Sequence, residues 1–156
     1  KKDITGDWPL YTLNTQAALQ WSEQGISRYL LSPEDDAENI FALVQQLGST
    51  AIIPVFQHSP LMISATRPET ESGELTDRSN HTFRTETNGR EFVLVNTTPF
   101  SLADRVADLK AFGARRFRID LCYGIDSAEQ ATELVHTIIS GKPVEGDPLN
   151  FSRGLL

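Results

Sequence analysis

The stretch SPEDDAENIFALVQQLGSTAIIPVF, Ser32–Phe56, decides the fold. Within it Ile40, Phe41, Leu43, Val44 and Leu47 recur at the three-and-four spacing of one helical face. Glu34, Asp35, Asp36 and Glu38 crowd the end at which a helix carries partial positive charge, and Gly48 supplies the stop. Thr50–Phe56 then runs through isoleucines and a valine with almost no polar side chain, as suits a strand covered on both faces. A helix feeding straight into a buried strand is half of a parallel crossover unit, so the spacing predicts an α/β protein.

Working outward, the same rhythm extends both ways. Toward the amino terminus, Arg28–Leu31 predicts a strand, Ala17, Ala18, Leu19 and Trp21 a helix closed by Gly25, and Leu10–Leu13 a first strand. Beyond Pro99, Ser101 is expected to cap a helix bearing Leu102, Val106, Leu109 and Phe112 and ended by Gly113. Arg116–Leu121 predicts another strand. Ser127 is expected to cap a last helix with Ala131, Leu134, Val135, Ile138 and Ile139, stopped by Gly141 and Pro143. Residues 144–156 carry no usable period. Between these blocks, Arg67–Ser72 is polar, and Leu75–Thr87 and Arg90–Asn96 alternate around Asn88-Gly89, a strong hairpin signal. An antiparallel excursion is expected over 73–97.

Two parallel architectures fit, a flavodoxin-like sheet and a (β/α)-barrel segment. Four or five strands cannot close an eight-stranded barrel of about 250 residues. The expected fold is therefore a partial (β/α)-barrel-like segment of parallel strands with an inserted antiparallel hairpin, in one domain over 1–156. A length of 156 residues with 39% hydrophobic and 22% charged residues is ordinary globular composition and excludes collagen-like and coiled-coil classes. No apolar run approaches the roughly 20 residues of a membrane span. Acidic residues number 21 against 14 basic, for a net charge of −7, which disfavours a nucleic-acid partner. The single cysteine, Cys122, excludes an internal disulfide and an all-cysteine metal site. The chain opens Lys1-Lys2-Asp3 and closes Leu155-Leu156 with no signal-peptide pattern, so it is expected to be cytoplasmic and a piece of a longer protein, with a processed mature chain as the alternative.

In parallel α/β architectures, ligand chemistry gathers at the carboxyl ends of the strands. Polar residues fall there: Asn14 after the first strand, Ser32 and Glu34 after the second, His58 and Ser59 after the third, Asn96 ending the hairpin, and Asp120 ending the next strand. Each also has a structural explanation. Asn14 and Ser32 suit helix caps, Glu34 a helix amino terminus, His58 a satisfied loop histidine beside a proline turn, and Asn96 a turn, while Asp120 can pair with Arg118 and Cys122 suits a small buried hydrophobe. Phosphate-binding loops, nucleophile elbows and H-E-x-x-H motifs are absent.

Asn14-Thr15-Gln16-Ala17-Ala18 with Gly25 and Leu30-Leu31-Ser32-Pro33-Glu34 resembles the "N-x-x-A … G … L-S-x-E" passage of the collagenase-like peptidases of unknown catalytic type, peptidase family thirty-two. The series continues through Val55-Phe56-Gln57-His58-Ser59-Pro60-Leu61-Met62-Ile63-Ser64 against "V-F-x-H-x-P-L-M-x-S" and Leu75-Thr76-Asp77-Arg78 against "L-x-D-R". Asn96 and Pro99 resemble "N-x-x-P", Arg118-Ile119-Asp120 "R-I-D", and Phe151-Ser152-Arg153-Gly154 "F-T-R-G". The resemblance implies the second half of a barrel-like catalytic domain. It also implies either proteolysis or support for hydroxylation of RNA or a quinone precursor, in some members with a cysteine-bound iron-sulfur cluster. This chain departs from that pattern: Ala65-Thr66-Arg67-Pro68 replaces the expected cysteine, and Glu69–Glu74 a longer cysteine-bearing insertion. One remaining thiol cannot hold a cluster, so no metal and no cofactor are expected.

The expected function is thus the carboxy-terminal part of a peptidase. His58 is the candidate general base, with Glu34 or Asp120 as its carboxylate partner. Asn14, Ser32, Asn96 and Arg118 are the candidate substrate-binding residues, and no residue qualifies as nucleophile. The alternatives are a non-catalytic substrate- or partner-binding module and a hydroxylation protein that has lost its cluster. The expected partners are a peptide or protein substrate and either the rest of a parent protein or a second copy. A homodimer would cover the open sheet, unless the hairpin folds over it.

Overall fold

A computed structural model describes residues 3–66, 73–78 and 80–154. The strand-helix rhythm is realised as β1 (Thr5–Gly6), α1 (Thr15–Glu23), β2 (Arg28–Leu30), α2 (Ala37–Leu47) and β3 (Ala51–Gln57). Next come β4 (Pro60–Ser64), β5 (Glu74–Thr76), β6 (Thr82–Asn88) and β7 (Glu91–Asn96). The chain then returns through β8 (Phe100–Ser101), α3 (Val106–Ala111), β9 (Phe117–Ile119), α4 (Ala128–Ile139) and α5 (Asn150–Arg153). The fold is α/β: a mixed, mostly parallel sheet and a separate antiparallel one.

In the first sheet β1, β2, β3 and β9 run parallel and lie side by side in chain order. The short β8 pairs antiparallel with the far end of β3, at Phe56 and Gln57. Helix α2 forms as its sequence demands. Asp36 Oδ1 accepts from the Asn39 N–H as N-cap, and Ile40, Leu43 and Val44 are buried. That face packs on Leu31, Ala51, Ile53, Leu102 and Leu109, the principal core. A second cluster gathers Val55, Phe56, Ala103 and Ile138 with Phe117, Ile119 and Leu134 between β3, β9 and α4.

Several local expectations change. Leu10–Leu13 is not a strand: Asp7 caps a 3₁₀ turn over Trp8–Leu10, with Pro9 inside it, and Tyr11 has φ +45. Pro9 has no N–H for a strand ladder, so the pairing falls earlier, on Thr5–Gly6. Ser101 belongs to β8 rather than to a helix cap, its Oγ donating to the Val144 carbonyl, and the helix after it starts as a 3₁₀ turn over Ala103–Arg105. The excursion is larger than a hairpin. β4 joins it, giving the order β4-β7-β6-β5, and Asn88 pairs with Glu91, so Gly89 (φ +63) and Arg90 make the turn, one residue later than Asn88-Gly89. Residues 144–154, which show no period, form an isolated bridge from Asp147 to Phe100 and the single turn α5. The replacement and shortened insertion at 67–72 lie outside the described residues.

Candidate functional site

The carboxyl ends of β3 and β9 open onto a cleft of about 470 Å³. Gln57 and His58 enter it from β3, Arg118, Asp120 and Cys122 from β9 and its loop, Asp7 and Trp8 from the turn after β1, and Glu86 from β6. A bulge between Pro54 and Phe56 shifts the register of β3 against β9. One extra residue reverses which face the following side chains take. Val55 and Phe56 both join the core, and Gln57 lines the cleft.

Arg118 is the electrostatic centre. Its Nη1 donates to Asp7 Oδ1 at 2.9 Å and its Nη2 to Asp120 Oδ2 at 2.6 Å. Burial works against the charge of Arg118, but these two carboxylates outweigh it and raise its pKa. Burial likewise opposes ionisation of Asp120, yet the Cys122 backbone N–H at 2.9 Å, the Cys122 thiol and the Arg118 guanidinium prevail and hold the carboxyl below its usual value. Cys122 is exposed, not a buried hydrophobe, because it turns back on Asp120 in the loop beyond β9. The hydrogen bond from its thiol to Asp120 pushes the thiol pKa up, burial adds to this, and the group stays protonated.

His58 stands at the wall between this cleft and a neighbouring depression of about 430 Å³. Its Nδ1 lies 2.9 Å from the Asn96 carbonyl oxygen. A carbonyl only accepts, so Nδ1 carries a proton, and in the neutral ring the lone pair is on Nε2. No described group hydrogen-bonds to Nε2. The ring packs edge-to-face on Phe56, 5.8 Å between centroids, and against Gly124. A Cβ at Gly124 would come within 2.2 Å of His58 Cδ2, and φ there is +74, so glycine is required for the imidazole to sit where it does.

Gln57 is 2% exposed. Its Nε2 donates to Ser59 Oγ at 2.8 Å, and its Oε1 has no partner among the described residues. A buried carboxamide oxygen without a donor carries a penalty of about 1–3 kcal/mol unless a ligand or water supplies one.

Of the sequence-predicted residues, His58, Arg118 and Asp120 share the cleft. Asn96 lines the neighbouring depression with His58, and a third, of about 310 Å³, with Glu34, Ser59 and Asn150. Glu34 is exposed and hydrogen-bonds through its backbone carbonyl, to Asn150 Nδ2. Asn14 caps α1, accepting from the Ala17 N–H, and the buried Ser32 accepts from the Glu34 N–H, so both polar oxygens serve local structure. Gln57, Asp7, Trp8 and Glu86 went unmarked in the sequence. Gln57 carried a usable signal, a polar residue closing an apolar strand at its carboxyl end. Glu86 carried none, because its approach depends on how the antiparallel sheet is set against the parallel one. Among the described residues, no group of three histidine, cysteine or acidic side chains is placed to hold a metal ion.

No protein-family model matches the chain, and neither the curated proteins nor the solved structures contain a match to it.

Proposed function

We propose that the chain is the carboxy-terminal part of a peptidase of the collagenase-like kind, and that the cleft at the ends of β3 and β9 binds peptide with His58 as general base. The observation that carries this is the contact of His58 Nδ1 with the Asn96 carbonyl, which leaves Nε2, bonded by no described group, at the edge of a cleft that also holds Arg118 and Asp120. His58 in this role draws a proton from a water that attacks the peptide carbonyl, then returns it to the leaving amine. Neither carboxylate considered as its partner bonds the ring: the Asn96 carbonyl holds Nδ1, Asp120 lines the same cleft but is engaged by Arg118 and Cys122, and Glu34 lines another depression.

The ordering of the strands supports the barrel-like part of the reading. Parallel neighbours in chain order are the arrangement of strands along the wall of a barrel. The rest of a parent chain would extend that arc. An iron-sulfur cluster does not fit: Cys122 is alone, and its thiol is held protonated. No step is routed through one.

A non-catalytic binding module is the second reading. It is favoured by the lack of any described serine, threonine or cysteine hydrogen-bonded to His58 Nε2. Incubation with labelled peptides and gelatin separates the two. Turnover that persists with chelator and falls by roughly 10²–10⁴-fold in His58→Ala supports the peptidase. Peptide binding without turnover supports the module.

A further inference from the structure

We infer that the cleft takes a protonated alkyl amine, the head group of a lysine side chain or of a peptide amino terminus; this rests on the cleft being the peptide site. Three carboxylates, Asp7, Glu86 and Asp120, line it with one guanidinium, that of Arg118, while Arg84 reaches Glu86 from the neighbouring depression and leaves the carboxylates one charge in excess. Arg118 spends Nη1 on Asp7 and Nη2 on Asp120, and so offers an incoming anion little. Acceptors are in surplus instead. Asp7 uses only Oδ1, toward Trp8 N and Arg118, and Glu86 uses only Oε1, toward Arg84 and the Gly124 N–H. Their second oxygens meet no described donor, and the buried Gln57 Oε1 meets none either.

An ammonium group brings three donors and one positive charge, the complement of that surplus. Trp8 and Tyr123 also line the cleft, and aromatic faces beside carboxylates attract alkyl ammonium groups by cation–π interaction. A carboxylate ligand would instead add a fourth negative charge. An alcohol would meet the acceptors with a single donor and no charge.

The test is titration of the isotope-labelled chain with n-butylammonium, butyrate and n-butanol at equal concentrations, following the Gln57 side-chain amide and the His58 ring by NMR. Saturable shifts with butylammonium alone, weakening as salt rises, are the expected result. Gln57→Met and Glu86→Gln should each reduce that affinity roughly fivefold to tenfold. Equal shifts from butyrate or butanol would overturn the inference, and so would an unchanged affinity in both variants. Peptides then identify the source. A lysine peptide with an acetylated amino terminus reports on the side chain, a lysine-free peptide with a free terminus on the terminus, and binding of either supports the inference. If acetylated, lysine-free peptides bind as tightly as these, the amine preference is wrong and the peptide site stands. If no peptide shifts either residue, the peptide site itself fails, whatever butylammonium does.

Discussion

His58 owes its position to two neighbours that are not themselves reactive: the Asn96 carbonyl, which fixes its tautomer, and Gly124, whose missing side chain makes room for the ring. Gly124→Ala should therefore cost about 1–3 kcal/mol of stability, from the overlap and from the positive φ, and should displace the imidazole. A urea melt and the His58 ring resonances check this; an unshifted ring would contradict it. Asp120 makes a pH-dependent contribution. Its carboxyl is held below the usual value, so the folded chain binds fewer protons there than the unfolded one. Its stabilisation is complete above about pH 4 and is lost as pH falls through the lowered folded pKa. Asp120→Asn should cost about 1–2 kcal/mol at pH 7 and progressively less below pH 4, with Asp7 still paired to Arg118. Denaturation midpoints across pH 2.5–7 test that convergence.

At the scale of elements, caps rather than hydrophobic stripes decide where the helices begin. Asn14, Asp36 and Ser127 each accept a backbone N–H three residues on, from Ala17, Asn39 and Gln130. Asp36 opens the helix that supplies Ile40, Leu43 and Val44 to the principal core, so Asp36→Ala should destabilise the whole chain by about 1 kcal/mol. Ser127→Ala should cost a similar amount, yet expose chiefly the smaller core around Ile138. Hydrogen exchange distinguishes them: global loss of protection in the first, loss centred on α4 in the second. The bulge in β3 is the element-scale device behind the cleft. Without that extra residue, Gln57 would turn away from Arg118 and Asp120.

For the whole molecule, the apolar strands expected to need a second copy are covered over β2 and β3, while Tyr11 and Leu13 stay exposed and 117–121 are half-buried. Leu30, Leu31, Ile53, Val55 and Phe56 are each at most 3% exposed within one chain. What lies open is the edge strand β4, with Leu61, Met62 and Ile63 all about half exposed. Such an edge invites pairing with another chain. The homodimer therefore remains our expectation, with β4 as its edge. Light scattering over a tenfold dilution should give twice 17.3 kDa, and Met62→Lys should return the mass to 17.3 kDa. A wild-type mass of 17.3 kDa throughout would end the proposal.

The sequence alone determined the elements whose signals are local: α2 from its apolar spacing and acidic start, β3 from its unbroken apolar run, α4 from Ser127 and its stripe. It also located His58 and Asp120 at strand ends, because a polar residue closing an apolar strand is visible in one dimension, and marked Arg118 beside Asp120. Tertiary structure decided everything that depends on a partner distant in the chain. Pro9 moved the first strand, β4 joined the antiparallel sheet, and Ser101 went to β3 instead of a helix. Glu86 came to the cleft from 34 residues before Asp120 in the chain. Glu34 and Asn96 were drawn to other depressions, and Cys122 was turned outward onto Asp120. The reason is physical: caps and periodicity act over three or four residues, whereas strand pairing and charge pairing depend on which segments meet across the fold.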